Sequence, residues 1–242
     1  MFWTDQPARL TGIMLLLLSL GIIIQVFSLM SISEADPFDR GEIQEYLTDI
    51  NSHETEYICG VVVSIAMDSV IGIIAGILVW ILFSDRNRVL ALITAILLVA
   101  SSIPLMVADA LSISLLLVAR DFVEGGPQSV DSGTSLEVGR ALAMGLTALQ
   151  QVTVTTLAVG LIGLGGIIGW SPAGAVNPPR WLGYPALLAG LAFLFSWTAV
   201  LVDAAFVLFI IGGLSGLIMQ VILGIWLIRQ RGDPTRPAAA SM

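Results

Sequence analysis

The chain has 242 residues, of which 57% are hydrophobic and 12% charged, with a formal net charge of −8. Soluble domains carry about 25% charged residues, so this composition cannot furnish a polar shell, and the bilayer is the chain's natural solvent. All ten basic residues are arginine, which removes the lysine a retinal Schiff base needs, and one histidine, His53, cannot build a bis-histidine haem site or a histidine-rich metal centre. Cys59 is alone, so no internal disulfide forms.

A membrane span needs roughly 20 apolar residues, because the hydrocarbon core is about 30 Å thick and a helix rises about 1.5 Å per residue. The first such run covers 10–30. It is longer than the apolar part of a signal peptide, Asp5 stands beside Arg9 ahead of it, and Ser33-Glu34-Ala35 is a poor cleavage site, so it reads as a retained helix. Residues 31–58 follow as an outer loop with eight acids: Glu34, Asp36, Asp39, Glu42, Glu45, Asp49, Glu54 and Glu56. Within it Asp39 can cap a short helix whose Ile43, Tyr46, Leu47 and Ile50 share one face, predicting an amphipathic helix packed on the bundle or the headgroups. The loop lacks the spaced aspartates and turn glycine of a calcium loop, so its acids read as a solvated face and no metal site is expected.

The second span covers 59–83 and the third 89–112, although the third stays apolar to about residue 118 and must tilt, kink at Pro104 or project beyond the lipid. The segment 120–133 is rich in Gly, Pro, Ser and Asp and predicts an irregular loop. Thr134-Ser135-Leu136-Glu137 reads as a capping box ahead of the fourth span, 141–168. Asp203 divides the last apolar stretch into spans 184–202 and 204–228, where a charge fits a tight turn better than a bilayer centre. Residues 231–242 predict a disordered tail, and 1–230 a single six-helix domain.

Arginine placement orients this scheme. Arg9, Arg86, Arg88, Arg180, Arg229, Arg231 and Arg236 fall on one side, and Arg40, Arg120 and Arg140 on the other. Both termini are therefore expected in the cytoplasm, with the chain in the plasma membrane.

Inside the spans, small residues recur at fourfold spacing in Gly72-x-x-x-Gly76, Gly165-x-x-x-Gly169 and Gly212-x-x-x-Gly216, a pattern for close helix packing within the bundle. Gly213-Leu214-Ser215-Gly216 also matches the short G-x-S-G pattern of rhomboid-type proteases, but His53 lies in the outer loop, far from a mid-membrane serine. Ionisable groups in spans are costly and each suggests a site. Asp68 lies about 13 Å in from Cys59, and Gln150 and Gln151 reach about the same depth on the fourth span, so a hydrogen bond between them is open. Gln25, Ser101, Ser102, Asp109 and Asp203 also map to the outer half. An outward-facing polar cavity around Asp68 is one reading; helix–helix hydrogen bonding is the other, with Asp109 and Asp203 at the interface.

Several short motifs carry a resemblance. Ala8-Arg9-Leu10-Thr11-Gly12 opens the first helix, Asp68 stands in the second, Asn87-Arg88-Val89-Leu90-Ala91-Leu92 starts the third, and Pro179-Arg180-Trp181-Leu182-Gly183 precedes the fifth. In this order and spacing the chain resembles a bacterial and archaeal family of six-helix integral membrane proteins classed as a domain of unknown function. Members of that family often carry an arginine in the third span and a histidine in the fourth; this chain has neither, and its loop before Pro179 is longer. The resemblance implies an all-α helical membrane bundle and no particular activity.

The expected function is accordingly that of a non-enzymatic, multi-pass membrane protein with a structural or partner-binding role, without a cofactor. The alternative is a small carrier or receptor built on Asp68. The bilayer is the one partner the composition implies; a protein partner or a homo-oligomer is compatible with it, and no nucleic acid is expected.

Overall fold

The computed structural model describes residues 5–30, 42–125, 132–196 and 206–229, with the single positions 32, 35 and 39. Among the described residues the chain is helical and has no strand. Helix α1 covers Asp5–Met30, α2 Ile43–Ser52 and α3 Glu54–Val63. A π-helical stretch, Ser64–Ile71, runs on from α3 into α4, Gly72–Phe83. Helix α5 covers Arg88–Gly125, α6 Ser132–Trp170, α7 Gly183–Phe195 and α8 Phe206–Arg229.

Five stretches are long and apolar enough to cross a membrane: Gln6–Gln25, Glu54–Phe83, Arg88–Gly125, Gly133–Trp170 and Val207–Arg229. The fifth span of the sequence scheme corresponds to a shorter apolar helix, Arg180–Phe195, and residues 197–205, Asp203 among them, lie outside the described residues. So does the tail, 231–242. Ile96, Ile103 and Val107 stand exposed on one face of α5, and Ile77 and Ile81 on α4. Contiguous exposed aliphatic surface of this kind is what lipid, rather than water, solvates.

Two boundaries differ from the sequence scheme. α5 has 38 residues and α6 has 39, each about 57 Å long at about 1.5 Å per residue and well beyond a 30 Å core. α5 passes through Pro104 and continues to Gly125, so Arg120 sits in a helix rather than an irregular loop. Leu115, Ala119 and Phe122 on this part of the helix are buried. α6 begins at Ser132, which places Thr134–Glu137 inside its first turns instead of at a cap, with Leu136 packed on the same core.

The described chain forms two compact units, one of Met1–Ser19, Gly72–Val99 and Thr156–Met242, the other of Leu20–Ile71 and Ala100–Thr155. In the first, glycines set helix spacing. A Cβ on Gly12 of α1 would lie 2.6 Å from the Gly224 carbonyl of α8, and one on Gly224 would lie 2.9 Å from the Gly12 carbonyl. Gly165 and Gly183 form a second reciprocal contact between α6 and the start of α7, at 2.8 and 2.7 Å to each other's carbonyls. Phe193 of α7 packs on Gly212 and on Phe209 of α8, ring centroids 5.6 Å apart. Asn87 caps α5 by accepting from the Leu90 N–H at 3.1 Å.

Arg86, counted above as a topology charge, is buried in this unit. Its Nε donates to the Pro172 carbonyl at 2.9 Å and its Nη2 to that of Ser171 at 3.1 Å. Asp85 accepts from the Ala175 N–H at 2.9 Å, so the α4–α5 turn holds the loop after α6 at two points. Burial lowers the Arg86 pKa from its usual value, with Arg180 adding to this and Asp85 opposing it. A guanidinium stays charged regardless, and its planar fork matches two carbonyls in a way an ammonium cannot. Arg86→Lys is expected to lose one of these charged hydrogen bonds, about 1.5–3 kcal/mol, and to lower the thermal midpoint in detergent. An unchanged midpoint would mean the loop is held by other contacts.

The second unit contains the amphipathic helix. Ile43, Leu47 and Ile50 of α2 are buried, and they share a core with Tyr57 and Val61 of α3, Leu115, Leu116, Ala119 and Phe122 of α5 and Leu146 of α6. The helix therefore packs on protein, the first of the two placements its pattern allowed. Burial also pushes the Tyr46 phenol above its usual pKa. At its start, the Asp39 carbonyl accepts from the Ile43 N–H at 3.1 Å. Arg120 forms a two-pronged ion pair with Glu54, partly exposed and so worth less than about 1 kcal/mol.

A carboxylate pair as candidate functional site

The π-helical stretch interrupts an aliphatic run with Ser64, Asp68 and Ser69. At about 100° per residue an α-helix would turn Ser64 and Ser69, five apart, to nearly opposite sides. A π-helix bonds i to i+5, which brings the fifth residue about one turn on and returns it to the same side. Ser64 and Ser69 are both buried, and both adjoin the carboxylate of Asp109 on α5. Ser69 Oγ donates to Asp109 Oδ2 at 3.3 Å.

α5 presents one face to this stretch. Ser102 and Asp109 are seven residues, about two turns, apart and so lie on one side of the helix. Ser102 Oγ donates to the backbone carbonyl of Asp68 at 3.4 Å, and Asp109 is only 5% exposed. Asp68 is half-buried and within electrostatic range of Asp109. Its Oδ1 faces Gly21 of α1, where a Cβ would sit 3.9 Å away. No salt bridge among the described residues reaches either aspartate.

Asp68 is thus within electrostatic range of Asp109. Gln150 is exposed and Gln151 half-buried on α6, where the Gln151 carbonyl accepts from Thr155 Oγ1 at 2.9 Å. Among the described residues no hydrogen bond joins Asp68 to either glutamine. Asp203 lies outside the described residues. Of the packing glycines, Gly76 lies against Val99, Gly165 against Leu187 and Gly183, and Gly212 against Phe193. Gly216 and Gly169 have looser neighbours, with Ala189 Cβ at 3.7 Å and the Arg180 carbonyl at 4.0 Å, and Gly72 opens α4 half-buried.

Ser64 and Ser69 were not singled out from sequence. Their signal, two hydroxyls flanking an acid inside a span, is visible only once the π-helical turn is known. Gly12, Gly183 and Gly224 were likewise missed, because their partners are far apart in the chain. His53 Nδ1 lies 3.1 Å from the Asp49 carbonyl and 3.0 Å from Ser52 Oγ, a local arrangement at the α2–α3 junction.

Chemically, the arrangement offers two carboxylates, hydroxyl oxygens and one backbone carbonyl engaged by Ser102. Every donor atom is oxygen. Among the described residues no group of three or more His, Cys, Asp or Glu side chains gathers.

A family model described as a domain of unknown function, DUF4386, matches residues 10–230. The chain belongs to the DUF4386 family. The match takes in all eight helices at least in part, including the whole of the DUF4386 chain's carboxylate pair. No curated protein and no solved structure matches the chain. The DUF4386 assignment agrees with the resemblance read from the short motifs and brings no activity with it.

Proposed function

We propose that this protein is a multi-pass, non-enzymatic protein of the plasma membrane that binds a small solute at Asp68 and Asp109, as a carrier or receptor. The observation that supports this most is the burial of Asp109 next to a second carboxylate without a basic partner among the described residues. Two carboxyls taken out of water repel as anions unless they take up a proton or a cation, which suits a place where positive charge enters the membrane domain. Intramembrane acids facing one another are typical of pathways for ions and protons. In this reading residues 1–230 act as one six-span domain, both termini are cytoplasmic, and Asp68 is reached from the outer side. The arginine distribution supports that orientation.

Cysteine accessibility scanning in lipid vesicles tests it, starting from Cys59→Ser because Cys59 is exposed. Positions flanking Asp68 and Asp109 are expected to react with a membrane-impermeant thiol reagent added outside. If none reacts from either side, the pair is sealed in packing and the solute-binding reading fails.

A further inference from the structure

We infer that one end of the first compact unit is a binding site for an anionic phospholipid, whose phosphate is held by Arg88 and Arg180 beside the buried Arg86. The site lies in the unit that lacks the carboxylate pair and does not depend on it. Three segments meet here: the α4–α5 turn, the loop after α6, and the 3₁₀ turn Arg180–Leu182 ahead of α7. Arg180 is within electrostatic range of Arg86, so two guanidiniums share one neighbourhood. Arg86 gives its hydrogen bonds to the neutral carbonyls of Ser171 and Pro172. Arg88 and Arg180 are exposed, and neither forms an ion pair among the described residues. Asp85, the nearby acid, accepts from the Ala175 N–H and offsets part of the Arg86 charge. A guanidinium does not shed its proton in a protein, so this excess of positive charge is balanced only by an anion.

The aromatic side chains argue for a lipid as the source of that anion. Trp170, Trp181 and Tyr184 are 64%, 51% and 63% exposed, and the Trp170 and Tyr184 rings meet edge-on with centroids 6.2 Å apart. Exposed tryptophan and tyrosine beside arginine mark the headgroup level, where the polar edge of the ring is wet and its body lies against acyl chains. Trp181 follows Arg180 directly in the chain. On the other flank, Trp80, Ser84, Asp85 and Arg88 line a shallow cavity of about 350 Å³. An arginine fork takes two phosphate oxygens at once, and basic pockets at the ends of membrane helices suit anionic headgroups.

The full-length protein, delipidated in mild detergent and titrated with phosphatidylglycerol or phosphatidylcholine at fixed pH and ionic strength, provides the test. The thermal midpoint is expected to rise saturably with phosphatidylglycerol and to stay level with phosphatidylcholine. Inorganic phosphate at the same ionic strength is expected to leave it level too. Arg88→Gln and Arg180→Gln keep the lipid-free midpoint, because both side chains are exposed and neither is ion-paired among the described residues. Each is expected to need about fivefold more phosphatidylglycerol for half the rise. Arg9→Gln and Arg229→Gln, exposed arginines on α1 and α8, are the controls and should respond as the unaltered chain does. An equal response to the two lipids, or none to either, overturns the assignment. So does an unchanged phosphatidylglycerol requirement in Arg88→Gln and Arg180→Gln. An equal loss in the two controls would replace the site with diffuse attraction, and the same rise with inorganic phosphate would replace the lipid with a soluble anion.

Discussion

Gly12→Ala is expected to lower the thermal midpoint of the protein by several degrees, whereas Gly213→Ala leaves it unchanged or slightly raised. The two substitutions add the same methyl group to a helix. At Gly12 the new Cβ meets the Gly224 carbonyl at 2.6 Å, Ile228 Cγ1 at 2.8 Å and the Ile228 N at 3.1 Å. At Gly213 it meets nothing within 4 Å. Two of the three Gly12 neighbours are backbone atoms of α8, which cannot swing aside as a side chain end can, so the helices must separate. Overpacking of this kind costs typically about 1–3 kcal/mol. It also forfeits the close backbone approach on which helix association in lipid depends. Gly213→Ala instead gains up to about 1 kcal/mol of helix propensity. Differential scanning fluorimetry of both variants in one detergent decides the matter, and equal midpoints would show that α1 and α8 are not in this register.

The second large effect belongs to the amphipathic helix. Leu47 is fully buried between α2 and the ends of α5 and α6, and a Cβ on Gly139 would touch its two methyl groups at 3.1 Å. Leu47→Ala removes those methyls from a packed site and is expected to destabilise the fold by about 2–5 kcal/mol, the spread reflecting how far the cavity collapses. Val62→Ala, on an exposed position of α3, is the matched control and should cost a fraction of that. Limited proteolysis at the 31–58 segment gives an independent reading: the Leu47 variant should be cut much faster than the Val62 variant. Equal rates would mean that α2 floats on headgroups, the alternative its amphipathic pattern left open.

Asp68 shows where the sequence stopped being legible. Its presence in a span, and hence its interest, follows from hydropathy alone. Its partner does not. A regular helix read from Cys59 puts Asp68 level with Gln150 and Gln151, and depth alone favours them. The π-helical turn and the facing side of α5 bring Asp109 within electrostatic range of it, with Ser69 donating to Asp109. Arg86 went unrecognised for a related reason. Counting arginines by side registers its charge, while its burial depends on two carbonyls in a loop 85 residues further along the chain. The end of α5 is a third case. Composition over 120–133 points to a loop, because the burial of Phe122 that keeps Arg120–Gly125 helical is invisible locally.

The sequence by itself determined the solvent, the helical class and the apolar stretches. Each rests on a property summed over roughly 20 residues, where the hydrocarbon thickness and the helix rise leave little choice. It also determined which face of α2 is apolar, since a 3.6-residue period is a local property. Tertiary structure alone decided which glycines meet, which acid stands beside Asp68, and that α2 rests on protein. Those outcomes depend on rotations and registers between segments far apart in the chain. No run of neighbouring residues encodes such a relation, and one π-helical turn is enough to change it.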